Sequence, residues 1–185
     1  MTTPLELNYL AAYPQALRDQ VAALWAAGKL GEALLARYPV AHVVKDDRAL
    51  HAYVDRLRQT ALRNSAPLSR VCFDSRLQTL RNALGTHTAI SRVQGGKLRA
   101  KREIRVASVF REAPEAFLRM IVVHELAHVK ERQHDKAFYQ LCCHMTPDYH
   151  QLEFDVRTWL CHVEAGGSPL WPSSGQARLH ALKDE

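Results

Sequence analysis

The stretch Met120–Tyr139, MIVVHELAHVKERQHDKAFY, contains an HExxH motif from His124 to His128. The four residues before the motif are apolar, which predicts a buried helix that leads into a site. Residues i and i+4 lie on one face of a helix, so the two histidines can direct their imidazoles at one metal ion. Glu125 follows the first histidine, where its carboxylate can act on a water molecule activated by that metal. The stretch therefore predicts a metal centre with Glu125 as the general base.

Two residues are candidates for the third metal ligand. His134 lies six residues beyond His128, which on an unbroken helix is about 240° around the axis and away from the site. The helix is therefore predicted to end between Lys130 and Gln133 so that His134 turns back. Either Gln133 or a tightened last turn is predicted to reverse the chain. The alternative is Glu153, since some HExxH enzymes take a glutamate from a later helix. A carboxylate in the first turns of a helix is also explained by the helix dipole.

The composition is that of a globular protein of 185 residues, with 47% hydrophobic and 24% charged residues. No apolar run approaches the 18 or so residues that a membrane helix needs, and no secretion signal is evident at the N-terminus. The four cysteines include no CxxC pair, which favours free thiols and a cytoplasmic location. The sequence carries no signal of oligomeric state.

The predicted fold is a single α+β domain in three parts. Residues 1–66 form a helical region that packs on the core, with helices from Pro14 to Trp25, from Gly31 to Arg37, and after a cap at Asp46 or Asp47. Residues 67–165 form the core around the HExxH helix. Its strands are predicted at 71–73 and in a hairpin from about 87 to 110, and its later helices begin at Asp135 and Asp148. Residues 166–185 are predicted to be a disordered tail.

The hairpin is unusually basic. The segment from Arg92 to Arg111 has seven positive residues and one negative residue. Its net charge of +6 equals that of the whole chain. One explanation is a solvated sheet edge, and the other is a surface that binds an anionic substrate. Arg92 and Arg105 are the candidates for substrate binding, together with His87. Phe110 alone supplies an aromatic ring there, so nucleic-acid binding by base stacking is not favoured.

Much of the chain resembles the YgjP-like metallopeptidase family. The resemblance is carried by segments such as THTAISRVQGG at 86–96 and VVHELAHVKERQHDKAFY at 122–139. The resemblance covers roughly residues 9–163 and extends more distantly to WLM and SprT-like proteases. It implies a zincin-like, minigluzincin-type fold with a small twisted sheet packed on the active helix. It also implies a metal held by His124, His128 and His134. In the family an aromatic pair follows the third histidine at a fixed spacing, here Phe138 and Tyr139.

Three functions are compatible with this pattern. The favoured one is a zinc-dependent metallopeptidase, because three imidazoles suit zinc and the HExxH site suits attack on an amide. The alternative, which the resemblance implies, is a pyrophosphatase that cleaves UTP to UMP and diphosphate. Such a substrate would also favour Mg²⁺ or Mn²⁺. A third reading is a non-catalytic nucleic-acid-binding module with a structural metal, to which Cys142 or Cys143 would add a fourth ligand. The intact Glu125 argues against that reading.

Overall fold

The computed structural model describes residues 5–65, 67–75 and 103–172. Within these ranges the chain is α+β, as predicted, with six α-helices and two strands. The helices are α1 (Gln15–Ala26), α2 (Leu30–Arg37), α3 (Asp47–Ala61), α4 (Glu115–Ala127), α5 (Lys136–Met145) and α6 (Tyr149–Glu164). Short 3₁₀ helices cover Asn8–Leu10 and Ser108–Glu112. None of the described helices combines the length and the apolar character that a membrane span requires.

The two strands, β1 (Arg70–Asp74) and β2 (Glu103–Ala107), pair in parallel. Arg70 lies opposite Glu103 and Asp74 lies opposite Ala107. β1 agrees with the strand predicted at 71–73, and β2 falls within the second strand of the predicted hairpin. The first strand of that hairpin, and with it Arg92 and His87, lies outside the described residues.

One compact unit contains the described parts of Met1–His42, Glu112–Phe117 and Gln151–Glu185. An aromatic cluster forms its centre, where the ring of Phe117 lies 5.5 Å from Trp159 and 5.6 Å from Trp171, centroid to centroid. The indole nitrogen of Trp171 donates a hydrogen bond to the carbonyl of Tyr38 at 2.7 Å. Trp171 thus packs within this compact unit, inside the segment 166–185 that was predicted as a tail. The predicted boundaries at 66 and 165 stay a prediction.

The other compact unit contains the described parts of Val43–Arg111 and Leu118–His150, with α3, both strands and α5. Asp46, one of the two predicted caps, caps α3 by accepting from the backbone of Ala49 at 2.8 Å. The neighbouring Asp47 accepts from the backbone of Phe73 at 2.9 Å and so joins α3 to β1. In the same unit, the Arg119 guanidinium donates to Thr146 at 2.9 Å and joins α4 to the end of α5. These bonds hold together the unit that carries the HExxH motif.

Candidate metal centre

Helix α4 positions the first histidine inside the protein. The four apolar residues Met120–Val123 are at most 1% exposed, as the apolar run predicts. His124 continues this buried surface and is 2% exposed. Because side chains four apart share a helix face, His128 lies next to it, with ring centroids 4.7 Å apart.

The chain turns back directly after the second histidine of the motif. The backbone amides of Val129 and Lys130 bond to the carbonyls three residues earlier, at 3.1 and 3.0 Å. Such i→i−3 bonds tighten the last turn of a helix. The regular helix thus ends at Ala127, earlier than the interval 130–133 predicted from the sequence. The chain changes direction before His134 through this tightened turn, which was one of the two predicted means of reversal, and not through Gln133.

Three imidazole nitrogens converge on one point. The Nε2 atoms of His124 and His128 are 3.1 Å apart, and that of His134 lies 3.0 Å from His128 and 3.2 Å from His124. Among the described histidines, cysteines and carboxylates, these three are the ones arranged to share a metal ion. The distances suit a single small cation, since an ion about 2.0–2.1 Å from tetrahedrally placed nitrogens holds them about 3.3 Å apart.

Hydrogen bonds on the far side of two rings support this donor set. The Nδ1 atom of His128 lies 2.9 Å from the carbonyl oxygen of Glu131, which only accepts. Nδ1 therefore carries the hydrogen, and the Nε2 of His128 presents its lone pair to the point where the three rings meet. The Nδ1 of His124 lies 2.7 Å from the hydroxyl of Tyr149, a group that can donate or accept a hydrogen bond. Polar partners of this kind orient metal-binding histidines.

Phe138 forms an apolar base for the three imidazoles. Its ring centroid lies 5.0 Å from His124, 4.5 Å from His128 and 4.7 Å from His134. The ring is fully buried. Asp135 fixes this part of the chain by accepting from the backbone of Phe138 at 3.1 Å, which confirms the predicted start of α5. The spacing of four residues between the third histidine and Phe138 thus has a packing reason.

The site contains two contributors that sequence reasoning did not assign. Tyr149 opens α6, and nothing in its local sequence distinguishes it from a core tyrosine. The carbonyl of Glu131 is a backbone group, so no residue type could have revealed it. The aromatic character at 149 was the one available signal, because a fully buried tyrosine needs a partner for its hydroxyl.

Glu125 follows the first histidine on α4, and its role as the general base stays a prediction. Desolvation by burial raises the pKa of its carboxyl to about 8. A divalent cation held by the histidines would favour the charged carboxylate and oppose this shift.

The remaining predicted site residues are placed as follows. Glu153 is 5% exposed, and its carboxylate accepts from the guanidinium of Arg157 at 2.8 Å. Arg105 on β2 forms ion pairs with Asp74 and Glu103, both at 3.1 Å, and these carboxylates raise its pKa. Arg92 and His87 lie outside the described residues. Cys142 and Cys143 do not belong to the group of candidate ligands that the described residues form.

Comparison with known proteins adds two findings. A family model described as "YgjP-like, metallopeptidase domain" matches residues 51–159. A curated protein of Escherichia coli (strain K12), named UTP pyrophosphatase, is 58% identical over 160 residues, which cover 86% of this chain and 96% of that protein. No solved structure matches the chain.

Proposed function

Because the chain belongs to the YgjP-like metallopeptidase family and is a hydrolytic enzyme, we propose that it is a metal-dependent pyrophosphatase that cleaves UTP to UMP and diphosphate. The observation that carries the proposal is the 58% identity to a protein named UTP pyrophosphatase. The aligned 160 residues take in nearly all of that relative.

His124, His128 and His134 would hold the metal, in preference to Glu153. The support for this choice is the convergence of three Nε2 atoms within 3.2 Å, while the carboxylate of Glu153 is bound by Arg157. Three neutral imidazoles favour zinc. When bound, the cation supplies positive charge that acidifies water and polarises the substrate.

Glu125 would act as the proton carrier of the reaction. Its carboxylate accepts a proton from the attacking water and then passes that proton to the leaving oxygen. The two histidines of the HExxH motif are proposed metal ligands. Glu125 is therefore the side chain of the motif that is available for this proton transfer.

The negative charge of the triphosphate would be met by the basic segment from Arg92 to Arg111. Arg105 belongs to this segment, and its guanidinium is partly exposed although it pairs with Asp74 and Glu103. A guanidinium has five N–H donors, so contact with two carboxylates leaves donors for a phosphate. We propose Arg92 and Arg105 as substrate-binding residues on this ground, and His87 as a donor to the negative charge that develops in the reaction.

Peptide hydrolysis is the second candidate. It is supported by the description of the family model as a metallopeptidase domain, and it uses the same metal and the same general base. A peptide would pair its backbone with a sheet edge and would depend little on the arginines.

The two candidates are separated by assaying one purified protein on UTP, the other ribonucleoside triphosphates and an unstructured peptide. Glu125→Gln should lower UTP cleavage by about 10²–10⁴-fold, the usual contribution of a general acid–base residue. Arg105→Gln should raise the KM for UTP, while Arg63→Gln, an exposed arginine outside the basic segment, is the matched control.

Peptide cleavage that is lost in Glu125→Gln but unchanged in Arg105→Gln, with no UTP cleavage, would establish the peptidase instead. UTP cleavage that survives Glu125→Gln would contradict the proposed role of that carboxylate. The ligand assignment is tested by zinc content: His134→Ala should lose zinc and Glu153→Ala should retain it, and the reverse result would make Glu153 the third ligand.

A further inference from the structure

A groove of about 690 Å³ lies between the outer face of α3 and the beginning of β1. It is formed wholly within the second compact unit. The groove is wide open to solvent and is not an enclosed cavity. None of its lining residues is among the three histidines of the metal centre.

The outer face of α3 presents a charged row to this groove. Arg48, His51, Asp55 and Arg56 line it, at spacings that place them on one side of the helix. Arg70 adds a third guanidinium group to the lining, from β1. All of the arginines and the histidine are exposed.

The two acidic residues of the groove are occupied by other groups of the protein. Asp47 accepts from the backbone of Phe73 at 2.9 Å. Asp55 accepts from the guanidinium of Arg58 at 2.8 and 2.9 Å and from the amide of Gln59 at 3.0 Å. Neither carboxylate forms an ion pair with Arg48, Arg56 or Arg70. Asp55 is therefore paired with a cation, whereas Asp47 keeps its negative charge. The three arginines of the lining outnumber its two acids, so the groove keeps a net positive charge.

The three arginines define the class of ligand. Within the part of the chain that the structure describes, the side chains of Arg48, Arg56 and Arg70 have no hydrogen-bond or ion-pair partner. Guanidinium groups bind phosphate oxygens in pairs of parallel hydrogen bonds. The described lining includes no Phe, Tyr or Trp, so it offers no such ring on which a nucleobase could stack. The groove thus favours a compact, multiply charged anion over a nucleoside.

We propose that this groove is a second binding site, specific for a free oligophosphate, of which inorganic diphosphate is the smallest. Arg48 and Arg56 bind it from the helix and Arg70 binds it from the strand. The inference does not rest on the proposed hydrolytic function, because it uses neither the histidines nor Glu125.

The test is a titration of the ¹⁵N-labelled, metal-loaded protein with inorganic diphosphate, followed by NMR. Amides of residues 47–59 and 69–71 should shift together on binding. Arg56→Gln and Arg70→Gln should each weaken this binding by about tenfold, since each removes a charge-assisted contact. Arg63→Gln removes the same charge from an exposed position outside the groove and should change the affinity less than about twofold.

Three results would overturn the proposal. Shifts confined to residues 120–139 would place the diphosphate at the metal centre alone. Equal weakening by Arg63→Gln would mean that binding reflects the net charge of the chain. Tighter binding of an RNA duplex than of diphosphate, lost in Arg56→Gln, would assign the groove to nucleic acid. Loss of UTP cleavage in Glu125→Gln leaves the diphosphate shifts at 47–59 unaffected, so the two proposals fail separately.

Discussion

At the scale of single residues, the orientation of the imidazoles depends on groups that are not themselves candidate ligands. The Tyr149 hydroxyl and the Glu131 carbonyl bind the Nδ1 atoms of His124 and His128. Each leaves Nε2 directed at the common point. A phenol is a weaker acceptor than a carboxylate, so His124 has a less polarising partner than the carboxylate that many metal-binding histidines have.

Tyr149→Phe should therefore weaken zinc binding while leaving the three histidines in place. Loss of such a partner typically costs about 10–100-fold in metal affinity. Competition with a chromophoric chelator measures this affinity, and the visible spectrum of the cobalt-substituted protein reports on the geometry. Tyr38→Phe is the control, because it removes a hydroxyl bonded to Asp155 at 2.6 Å in the other unit. Equal zinc loss in both variants would show a general effect of destabilisation.

The cysteines provide a second prediction at this scale. All four are thiols rather than disulfides, and Cys143 is the one that is not fully buried. Burial raises the pKa of Cys161 to about 11. Since the thiolate is the reactive form, Cys143 should be alkylated first at pH 8 and Cys161 should stay unmodified until the chain unfolds.

The raised pKa of Cys161 also determines how the stability of the fold changes with pH. The folded state favours the protonated Cys161, so its contribution to stability is complete below the pKa of the unfolded thiol and is lost as the pH rises towards 11. Mass spectrometry of the alkylated native and denatured protein tests the order of labelling, with four labels expected after denaturation. Rapid labelling of Cys161 in the native protein would contradict the assigned environment.

At the scale of secondary structure, a tight turn and a helix cap position the third histidine. The tightened turn after Ala127 changes the direction of the chain, and the cap at Asp135 starts the next helix immediately beyond His134. The new helix brings Phe138 beneath the rings. The third histidine is thus fixed between two helix ends, and its position does not depend on a regular helical spacing.

Asp135→Ala should lower the free energy of unfolding by about 1 kcal/mol, the usual value for a lost cap, and should also speed the release of zinc. Asp46→Ala is matched to it, since Asp46 caps α3 through Ala49 in the same way. It should cost a similar amount of stability without affecting zinc release. Urea unfolding and the rate of zinc transfer to a chelator measure the two effects. Identical release rates would mean that the cap does not restrain His134.

At the scale of the whole molecule, the proposed ligands lie close together in the chain and belong to one compact unit. Only ten positions separate His124 from His134. Metal binding therefore restrains a short segment, and its free energy adds to the stability of the folded state because the unfolded chain holds the metal poorly.

Removal of the metal should lower the melting temperature of the protein, and added zinc should restore it. A free ligand at 100 times its dissociation constant raises the free energy of unfolding by about 2.7 kcal/mol. Differential scanning calorimetry of the loaded, chelated and reloaded protein measures the change. His124→Ala is the control and should not respond to the chelator. A response of equal size in that variant would show that the metal acts elsewhere.

The sequence by itself determined the features that depend on local periodicity and local capping. These are the buried helix before His124, the pair of histidines four residues apart, the helix starts at Asp46 and Asp135, and the two short strands. Each follows from side chains within one or two turns of chain, where spacing fixes which face a residue occupies. The hydrolytic chemistry was accessible for a similar reason, because the HExxH motif lies at the end of one helix and the residue that follows it. The family was recognised by the resemblance of whole segments.

The tertiary structure alone decided how far these elements reach and which distant groups meet. It tightened the turn before His134, brought the Tyr149 hydroxyl to His124, and packed Trp171 against Phe117 where a tail was predicted. It also paired Arg105 with Asp74 across parallel strands. These contacts join residues up to 54 positions apart, and their free energies come from burial and hydrogen bonding that exist only after the chain has folded.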